Sequence, residues 1–485
     1  MKIKPDKNAF TLSTSVTGFA ATMCLSWWIS YDPVYDFVPN IPGMDNKPSA
    51  SELAKAKKAN SEVVNIGEFT ESFDGTPSDL PGDWPRLRGS EFDNINTDKI
   101  PLAESWPEEG PPQLWSIELG EGHAAPAVKN GRIYLLDYIE DKKEDALRCF
   151  SLADGKEIWR RSYRVHVKRN HGFSRTIPAV TDSFVVSIGP RCHVMCVNAV
   201  TGEYLWGIDL EKDYDTETPF WYTGQCALID DGVAVIAPGG KALMIGVDCA
   251  TGEKLWETPN PKGWQMSHSS IILATIKGKR TYVYCSSGGL IGVSAEEGEK
   301  GKLLWQNASW SPSVSAPSPV VLEDGRIFAT GGYGAGSILL QVIEKNGTFS
   351  TEKILKFKPD EGMSSEQQTP IFYKNHFFNI QPKDAGVLRK QLVCYPSDDI
   401  TKPAWTSGNT VRFGLGPFMI ADDKIFVLND DGLLKMLDAS TRGYKELASA
   451  QVLNGHDAWG PMALAAGRLL VRDSRKMVCL DVRKK

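Results

Sequence analysis

The sequence lacks the short cysteine motifs of several common functional classes. It has nine cysteines in 485 residues, an odd number, with no C-x-x-C, no C-x-x-C-H and no two cysteines side by side. These absences exclude zinc ribbons, thioredoxin-like redox centres and c-type haem attachment. The formal net charge is −6, so there is also no excess of positive charge. That balance argues against a nucleic-acid-binding protein, which would usually carry a basic surface.

Other catalytic signatures are missing too. The glycine-rich stretches, such as residues 331–336, do not follow the pattern of a P-loop, a dinucleotide fingerprint or a hydrolase nucleophile elbow. Hydrophobic residues make up 41% of the chain and charged residues 24%. This composition is typical of neither a disordered chain nor a polytopic membrane protein.

One uncharged run stands near the N-terminus. Residues 9–31 contain no charge, three lysines precede them, and aspartates follow from residue 32. About 20 apolar residues span a bilayer and the positive flank stays in the cytoplasm. We expect residues 1–31 to be a transmembrane signal anchor, with Trp27 and Trp28 at the interface and the rest of the chain in the periplasm. A cleaved signal peptide, followed by secretion, and a buried segment are the alternatives.

The next residues are expected to connect this anchor to a folded domain. Residues 32–83 contain several prolines and are predicted to be a linker with a short helix near residues 51–60. Residues 84–112 are predicted to be an N-terminal extension that packs on the domain formed by residues 113–485.

That domain contains an internal repeat. Segments ending in tryptophan recur at spacings of 47, 50, 49 and 100 residues, and Leu355 falls where the double gap leaves one copy without its tryptophan. The series is preceded by one more tryptophan, and its members are Trp115, Trp159, Trp206, Trp256, Trp305 and Trp405. Between them, alternating Val, Ile, Leu and Tyr runs are separated by Asn-Gly and Asp-Gly pairs, which supply the positive φ of tight hairpins. Four short antiparallel strands per unit are typical of a propeller blade.

The two ends of the repeat region complete the ring. The C-terminal run supplies three strands, and residues 113–119 supply one strand without a blade of its own. We therefore predict an all-β fold with eight four-stranded blades, in which residues 113–119 pair with 477–482. The repeat tryptophans are expected to pack across to the next blade as structural side chains. Cys149, Cys196, Cys394 and Cys479 occupy one repeat position that favours a small buried residue, although Cys192 and Cys196 are close enough for a local disulfide.

The repeat motif resembles a known family. The segments Asn198-Ala-Val-Thr-Gly-Glu-Tyr-Leu-Trp206 and Asp248-Cys-Ala-Thr-Gly-Glu-Lys-Leu-Trp256 resemble the PQQ-type β-propeller repeat. That repeat occurs in quinoprotein alcohol dehydrogenases and in the propeller lipoprotein of the outer-membrane β-barrel assembly machinery. Residues 83–89 and 105–115 look like a bacterial group of membrane-anchored or secreted propellers, most of them without an assigned function. The resemblance implies the fold; it does not choose an activity.

The dehydrogenase branch of that resemblance implies a cofactor. Its members hold pyrroloquinoline quinone (PQQ) over the central channel, with a calcium ion, an aspartate base and a disulfide between adjacent cysteines. When the innermost strands of this sequence are aligned on their prolines, two rings of residues are placed at the channel. The first ring consists of His123, Arg175, Gly224, His268, Ala316, Gln367, Gly414 and Ala458. The second ring consists of Ala124, Thr176, Gln225, Ser269, Pro317, Gln368, Leu415 and Trp459. Neither ring contains a carboxylate, which calcium usually requires, and Glu366 stands alone beside the first. We therefore expect no cofactor and no metal.

The polar members of these rings are the candidate ligand site. We predict that the central channel is lined by His123, Arg175, Trp221, Tyr222, His268, Gln367, Gln368 and Trp459. Convergent polar groups in a concave space are typical of a binding site, although they can also line a water-filled channel. A basic run over residues 160–175 is a second candidate, for an acidic partner or lipid headgroups, or else a solvated loop.

Together these features favour a non-catalytic binding propeller on the periplasmic face of the membrane. Its partners would be another protein or a small ligand in the channel, with no nucleic acid. A quinone-dependent alcohol or sugar oxidoreductase is the alternative, and no catalytic residue is assigned.

Overall fold

Eight antiparallel sheets follow one another along the chain in the computed structural model, which confirms the predicted all-β propeller of eight blades. The structure describes residues 19, 21–28 and 63–485. Six of the sheets have four strands, and two have a fifth that comes from the N-terminal extension. In each blade the strands run in sequence order from the innermost to the outermost, except that the last blade borrows its outer strand.

The first four blades occupy residues 127–307. Blade 1 consists of Ala127–Lys129, Arg132–Ile139, Glu144–Ser151 and Glu157–Arg164. Blade 2 consists of Ala179–Val180, Phe184–Ile188, His193–Asn198 and Tyr204–Asp209, followed by a short helix, Leu210–Tyr214. Blade 3 consists of Leu228–Asp230, Val233–Ile236, Ala242–Asp248 and Lys254–Pro259. Blade 4 consists of Ile272–Ile276, Lys279–Ser286, Gly289–Ser294 and Leu303–Asn307.

The remaining blades occupy residues 320–481. Blade 5 consists of Val320–Val321, Arg326–Gly331, Gly336–Lys345 and Thr348–Phe357. Blade 6 consists of Ile371–Tyr373, His376–Ile380, Leu392–Pro396 and Trp405–Thr406, with a 3-10 turn at Gly386–Leu388. Blade 7 consists of Phe418–Ala421, Lys424–Leu428, Leu433–Asp438 and Glu446–Gln451. Blade 8 consists of Ala463–Ala465, Arg468–Arg472, Lys476–Asp481 and the borrowed strand Gln113–Glu118.

The borrowed strand closes the ring as the sequence predicts. Gln113–Glu118 pairs antiparallel with Lys476–Asp481, and Trp115 lies opposite Cys479. The first and last parts of the domain therefore share one sheet. Closure of this kind removes the open blade edge that would otherwise be free to pair with other chains.

The repeat tryptophans lie against the neighbouring blade. Trp206 of blade 2 donates from Nε1 to the carbonyl oxygen of Cys249 in blade 3 at 2.9 Å. Its ring lies over Gly252 of the same turn, where a Cβ atom would stand only 2.7 Å from the indole. Gly252 also has a φ of 76°, a left-handed conformation that glycine adopts without strain. The Thr-Gly pair of the repeat therefore provides both the turn and the surface on which the tryptophan packs.

A small residue lies opposite each tryptophan on the adjacent strand of the same blade. The cross-strand pairs are Cys149–Trp159, Cys196–Trp206, Gly246–Trp256, Gly292–Trp305, Cys394–Trp405 and Cys479–Trp115. A Cβ on Gly246 would come within 2.1 Å of the indole of Trp256. All nine cysteines are free, so Cys192 and Cys196 form no disulfide. Burial raises the pKa of Cys149 and of Cys479, as expected for thiols that fill space.

Two short strands that precede the borrowed strand in the sequence pair with blades of the propeller. Phe69–Ser72 adds a fifth strand outside blade 1, so this part of the expected 32–83 linker belongs to a sheet. Ile95–Asn96 pairs in parallel with the innermost strand of blade 7. Between these strands, the backbone of Trp84 bonds with that of Val128 in blade 1.

We call residues 84–96 the plug segment, because they cross the ring from blade 1 to blades 7 and 8. Pro85 accepts a hydrogen bond from the Val180 amide of blade 2 at 2.8 Å. The side-chain amide of Asn96 donates to the carbonyl oxygen of Leu464 in blade 8 at 2.8 Å. Phe92 packs against the hydrophobic clusters of blades 3 to 5. The segment therefore contacts inner strands around the ring and closes one end of the central channel.

The N-terminal unit is described only in part. Residues 21–28 form a short helix with exposed side chains. Within the described residues, no helix is both long and apolar enough to cross a bilayer. Most of the predicted anchor, residues 1–31, and the predicted helix at 51–60 lie outside the described residues, so both stay predictions.

Replacing Trp206 with alanine should destabilise the ring. Trp206 is 7% exposed, and removing a buried tryptophan usually costs about 3–5 kcal/mol of the free energy of unfolding. Leu255→Ala is the control, because Leu255 is 50% exposed and a surface substitution changes stability by about 0.5 kcal/mol or less. Urea unfolding followed by circular dichroism measures both. Equal midpoints for the two variants would contradict the packing role.

Candidate functional site

The central channel contains a cavity of about 500 Å³. Its walls are the residues that lead into the innermost strands, and Leu87, Arg88 and Asn94 of the plug segment form its closed end. Arg88 donates from Nη2 to the carbonyl oxygen of Pro370, the residue before the innermost strand of blade 6, at 3.2 Å. Because the plug segment bonds to inner strands on several sides of the ring, we infer that it closes this end of the channel and leaves the cavity one mouth.

Most of the predicted site residues line this cavity. The structure brings together His123, Arg175, Trp221, His268, Gln367, Gln368 and Trp459. Tyr222, the eighth, does not line it; its hydroxyl donates to the carbonyl oxygen of Lys168 in a neighbouring loop. Gly224 and Ala316 of the first predicted ring also line the cavity.

The second predicted ring is only partly at the channel. Thr176, Gln225 and Ser269 are at most 2% exposed and do not line the cavity. Gln225, for example, bonds the backbone of Ala237 inside its own blade. In blades 2 to 4 the physical reason is the two-residue period of an extended chain, which turns every second side chain away from the channel. Gln368, Leu415 and Trp459 of the same ring do line the cavity.

The same period identifies residues that the sequence analysis missed. Two positions after the members of the first ring, the cavity is lined by Ile177, Cys226, Ser270 and Thr369. Applying the strand period to the first ring would have found them. Tyr333 and Lys383 come from the connections between the second and third strands of blades 5 and 6, and the plug residues come from outside the repeat, so no periodic signal marks these groups.

Aromatic rings gather at the mouth. The rings of Trp221 and Tyr333 stack with centroids 5.1 Å apart, and Phe220 packs edge-on against Trp221 at 5.2 Å. The Lys383 ammonium group lies 4.6 Å from the centre of the Tyr333 ring. Phe220 is 78% exposed, so this aromatic group faces solvent beside the opening of the pocket.

Two of the three histidines that line the cavity are neutral at pH 7. Burial lowers the pKa of His123 to about 3, with Arg472 and Arg175 adding to the effect. Burial also lowers the pKa of His268 to about 4, again with a contribution from Arg175. His123 Nε2 is 3.1 Å from the carbonyl oxygen of His171 and acts as the donor. Nδ1 of His123 and Nε2 of His268 have no hydrogen-bond partner among the described residues.

Glu366 is the one carboxylate that lines the cavity, and it already has a partner. Its Oε1 is 3.2 Å from the Lys383 ammonium group, and its Oε2 accepts a hydrogen bond from the Lys383 amide at 3.3 Å. Arg175 and Arg88 complete the charged lining. The cavity therefore has three cationic side chains and one anionic side chain in its walls, the histidines aside.

The basic run does not form a free cationic surface. Arg160 pairs with Glu157 at 2.7 Å, and Arg169 pairs with Glu121 at 2.7 Å. Arg161 donates to two backbone carbonyl groups, and Arg175 lines the cavity. Two of the six cations in the run therefore have carboxylate partners within the domain, and the run carries no further argument for an acidic partner or for lipid headgroups.

Comparison with known proteins agrees with this architecture. Residues 142–353 match a family model described as outer membrane protein assembly factor BamB. BamB from Moraxella catarrhalis superposes with a TM-score of 0.50 at 13% identity, covering 76% of this chain and 99% of its own. A search of curated protein sequences gave no match.

Two dehydrogenases share the fold as well. Quinohemoprotein alcohol dehydrogenase ADHIIG from Pseudomonas putida HK5 superposes with a TM-score of 0.51 at 13% identity, covering 84% of this chain and 81% of its own. A europium-containing methanol dehydrogenase gives a TM-score of 0.52 at 11% identity, covering 81% of this chain and 89% of its own. The predicted resemblance to PQQ-type propellers is therefore confirmed. At identities of 11–13% the similarity shows only the fold, and it does not distinguish a BamB-like propeller from a quinone-dependent dehydrogenase.

The residues of the pocket do not fit a calcium ion with PQQ. Calcium takes six to eight oxygen ligands, usually including carboxylates. The only carboxylate in the lining, Glu366, is held by Lys383. Within the described residues, no three His, Cys, Asp or Glu side chains are grouped as metal ligands. The lining therefore lacks the group of carboxylate ligands that a calcium ion with PQQ would require.

The buried histidines should make stability depend on pH. The folded state holds His268 neutral, with a pKa of about 4 against 6.5 for an ordinary histidine. The stability that the neutral His268 contributes is present in full above pH 6.5. It is lost as the pH falls towards 4, because this histidine takes up a proton in the unfolded chain before it does so in the folded chain. His268→Gln should lose less free energy of unfolding over that range than the original protein. Urea titrations at several pH values measure this.

His456→Gln is the matched control, since that side chain is 77% exposed. If His268→Gln and the original protein had the same slope of stability against pH, the neutral buried state of His268 would be contradicted.

Proposed function

We propose that this chain is a non-catalytic binding propeller whose closed channel takes a small ligand. The observation that carries the proposal is the plug segment, which turns a propeller channel into a pocket with one mouth. Pockets of about 300–1,000 Å³ with a few convergent polar groups are typical of small-molecule sites. The pocket volume of about 500 Å³ lies in that range.

The polar groups of the pocket support binding rather than a passive channel. His268 presents a ring nitrogen without a partner among the described residues, and Gln367, which also lines the pocket, offers both a donor and an acceptor. Buried polar groups without partners are costly, and a ligand that bonds them recovers that cost.

A protein partner is the second part of the proposal. The BamB-type family model and the BamB structure support a propeller that works by association with other proteins. Phe220 beside the mouth is large, apolar and exposed, a feature typical of contact surfaces. The proposed location is the periplasmic side of a membrane, reached by the predicted anchor. Extraction of membranes at alkaline pH tests the anchor, because a chain without it would be released.

A quinone-dependent oxidoreductase is the alternative, and the fold of the two dehydrogenases favours it. The donor set described above opposes it. Incubation with PQQ and Ca²⁺ separates the two functions: a bound chromophore at one per chain, with dye reduction by alcohols, would replace the binding proposal.

Filling the pocket should abolish ligand binding. Ala316 lines the cavity, and Ala316→Phe places a ring in the space that a ligand would occupy. Ligand-observed NMR with a mixture of neutral, cationic and anionic small fragments should detect binding to the original protein. In Ala316→Phe that binding should weaken at least about tenfold, a change of about 1.4 kcal/mol.

Ala308→Phe is the control, because Ala308 is exposed and does not line the cavity. Fragments that bind all three proteins equally would place binding elsewhere, and no fragment binding at all would contradict the proposed function.

A further inference from the structure

Arg88 is a buried cation with little to compensate its charge. It is 6% exposed and comes from the plug segment. Its one hydrogen bond runs from Nη2 to the Pro370 carbonyl oxygen, and its Nε has no partner among the described residues. Asp93 is the carboxylate that acts on it, yet the two form no ion pair. Burial lowers the pKa of Arg88 to about 10, so the group is charged at neutral pH but poorly solvated.

Arg175 is a second cation of this kind in the same cavity. Its Nη1 donates to the carbonyl oxygen of Phe173, and its Nη2 donates to those of Asn170 and His171. Carbonyl groups hold the guanidinium in place but carry no net charge. Burial lowers the pKa of Arg175 to about 10, with Tyr222 rather than any carboxylate opposing the shift. No ion pair to Arg175 is present among the described residues.

Two arginines outside the cavity show how such a charge is held elsewhere in the domain. Arg148 pairs with Asp137 at 2.8 Å and with Glu157 at 2.7 Å. Arg472 has no carboxylate partner, but it donates four hydrogen bonds to backbone carbonyl groups. Arg88 differs from both, because it lines an open cavity with a single hydrogen bond.

Nothing else in the cavity supplies the missing negative charge. Glu366 is held by Lys383 and does not pair with either arginine. Apart from the histidines, the lining therefore carries two positive charges, those of Arg88 and Arg175, that no negative charge in the lining balances. A buried charge without a partner is expensive, so a site that keeps two of them is suited to an anion that arrives from outside.

We infer that the pocket binds a small organic oxyanion, with Arg88 and Arg175 as its counter-charges. This inference rests on the proposed function and names its ligand class. A guanidinium group is a planar fork that matches carboxylate and phosphate oxygens in pairs of hydrogen bonds. The stacked Trp221 and Tyr333 rings at the mouth provide an apolar face for a flat carbon skeleton.

Two probes of equal shape and different charge test the inference. Terephthalate is a flat dianion, and terephthalamide is its neutral counterpart. Isothermal titration calorimetry should show terephthalate binding at least about tenfold more tightly than terephthalamide. Arg88→Met should weaken terephthalate binding by about 10- to 100-fold, because hydrogen bonds to charged groups contribute about 1.5–3 kcal/mol. Arg88→Lys keeps the charge and should restore part of the affinity. Sulfate, added as a competitor, separates a site for any oxyanion from one that also requires the ring.

Arg132→Met is the matched control. Arg132 also has an Nε without a partner, but it lies outside the cavity, so its substitution should leave terephthalate binding unchanged. If Arg88→Met does not fold, as judged by its thermal unfolding, Arg175→Gln takes its place with the same expectation.

The outcomes separate this inference from the proposed function. Equal binding of the two probes, or a terephthalate affinity that survives Arg88→Met, would overturn the anion site and leave a binding pocket for neutral ligands. Fragment binding in the channel without any terephthalate binding would have the same meaning. If neither the fragments nor the probes bind, the proposed function fails together with the inference.

Discussion

The ring depends on one repeated contact, the packing of an outer-strand tryptophan over the turn of the next blade. At Trp206 the contact has a glycine beneath the indole on the neighbouring blade, Gly252, and a small residue opposite it, Cys196. A glycine of the next blade lies beneath four of the six repeat tryptophans, and Trp115 extends the contact across the closure to Gly155 of blade 1. Because each blade contacts only its neighbours, this contact fixes the angle between blades and so the diameter of the channel.

The plug segment closes one end of the channel, which the repeated blades alone leave open. Eight similar blades form a channel that is open at both ends, and residues 84–96 close one end by bonding to inner strands around the ring. The segment also places Arg88 at the closed end, beneath the ring that contains His123, Arg175 and His268. The scaffold is therefore shared with proteins of different function, whereas the pocket belongs to this chain.

The repeat made the fold predictable, and with it half of the site. The tryptophan spacing led to the eight blades, and the proline alignment led to the first ring, including His123 and Arg175. The plug segment was predicted only as an extension that packs on the propeller, because it has no repeat and its path depends on hydrogen bonds to distant strands. Tyr333 and Lys383 were missed for a similar reason: they reach the mouth from the connections between the second and third strands of their blades. The basic run was predicted as either a binding surface or a solvated loop, because the pairing of Arg169 with Glu121 joins residues 48 apart and could not be read from the sequence.

The central claim is that the plug segment is a fixed floor of the pocket. Hydrogen–deuterium exchange tests it directly, because the amides of Trp84 and Asn94 donate to the carbonyl oxygens of Val128 and Arg88. We expect peptides over residues 84–96 to exchange as slowly as those over the innermost strand Phe418–Ala421. Exchange as fast as in the turn at residues 296–300 would mean that the channel is open at both ends, which would contradict the account.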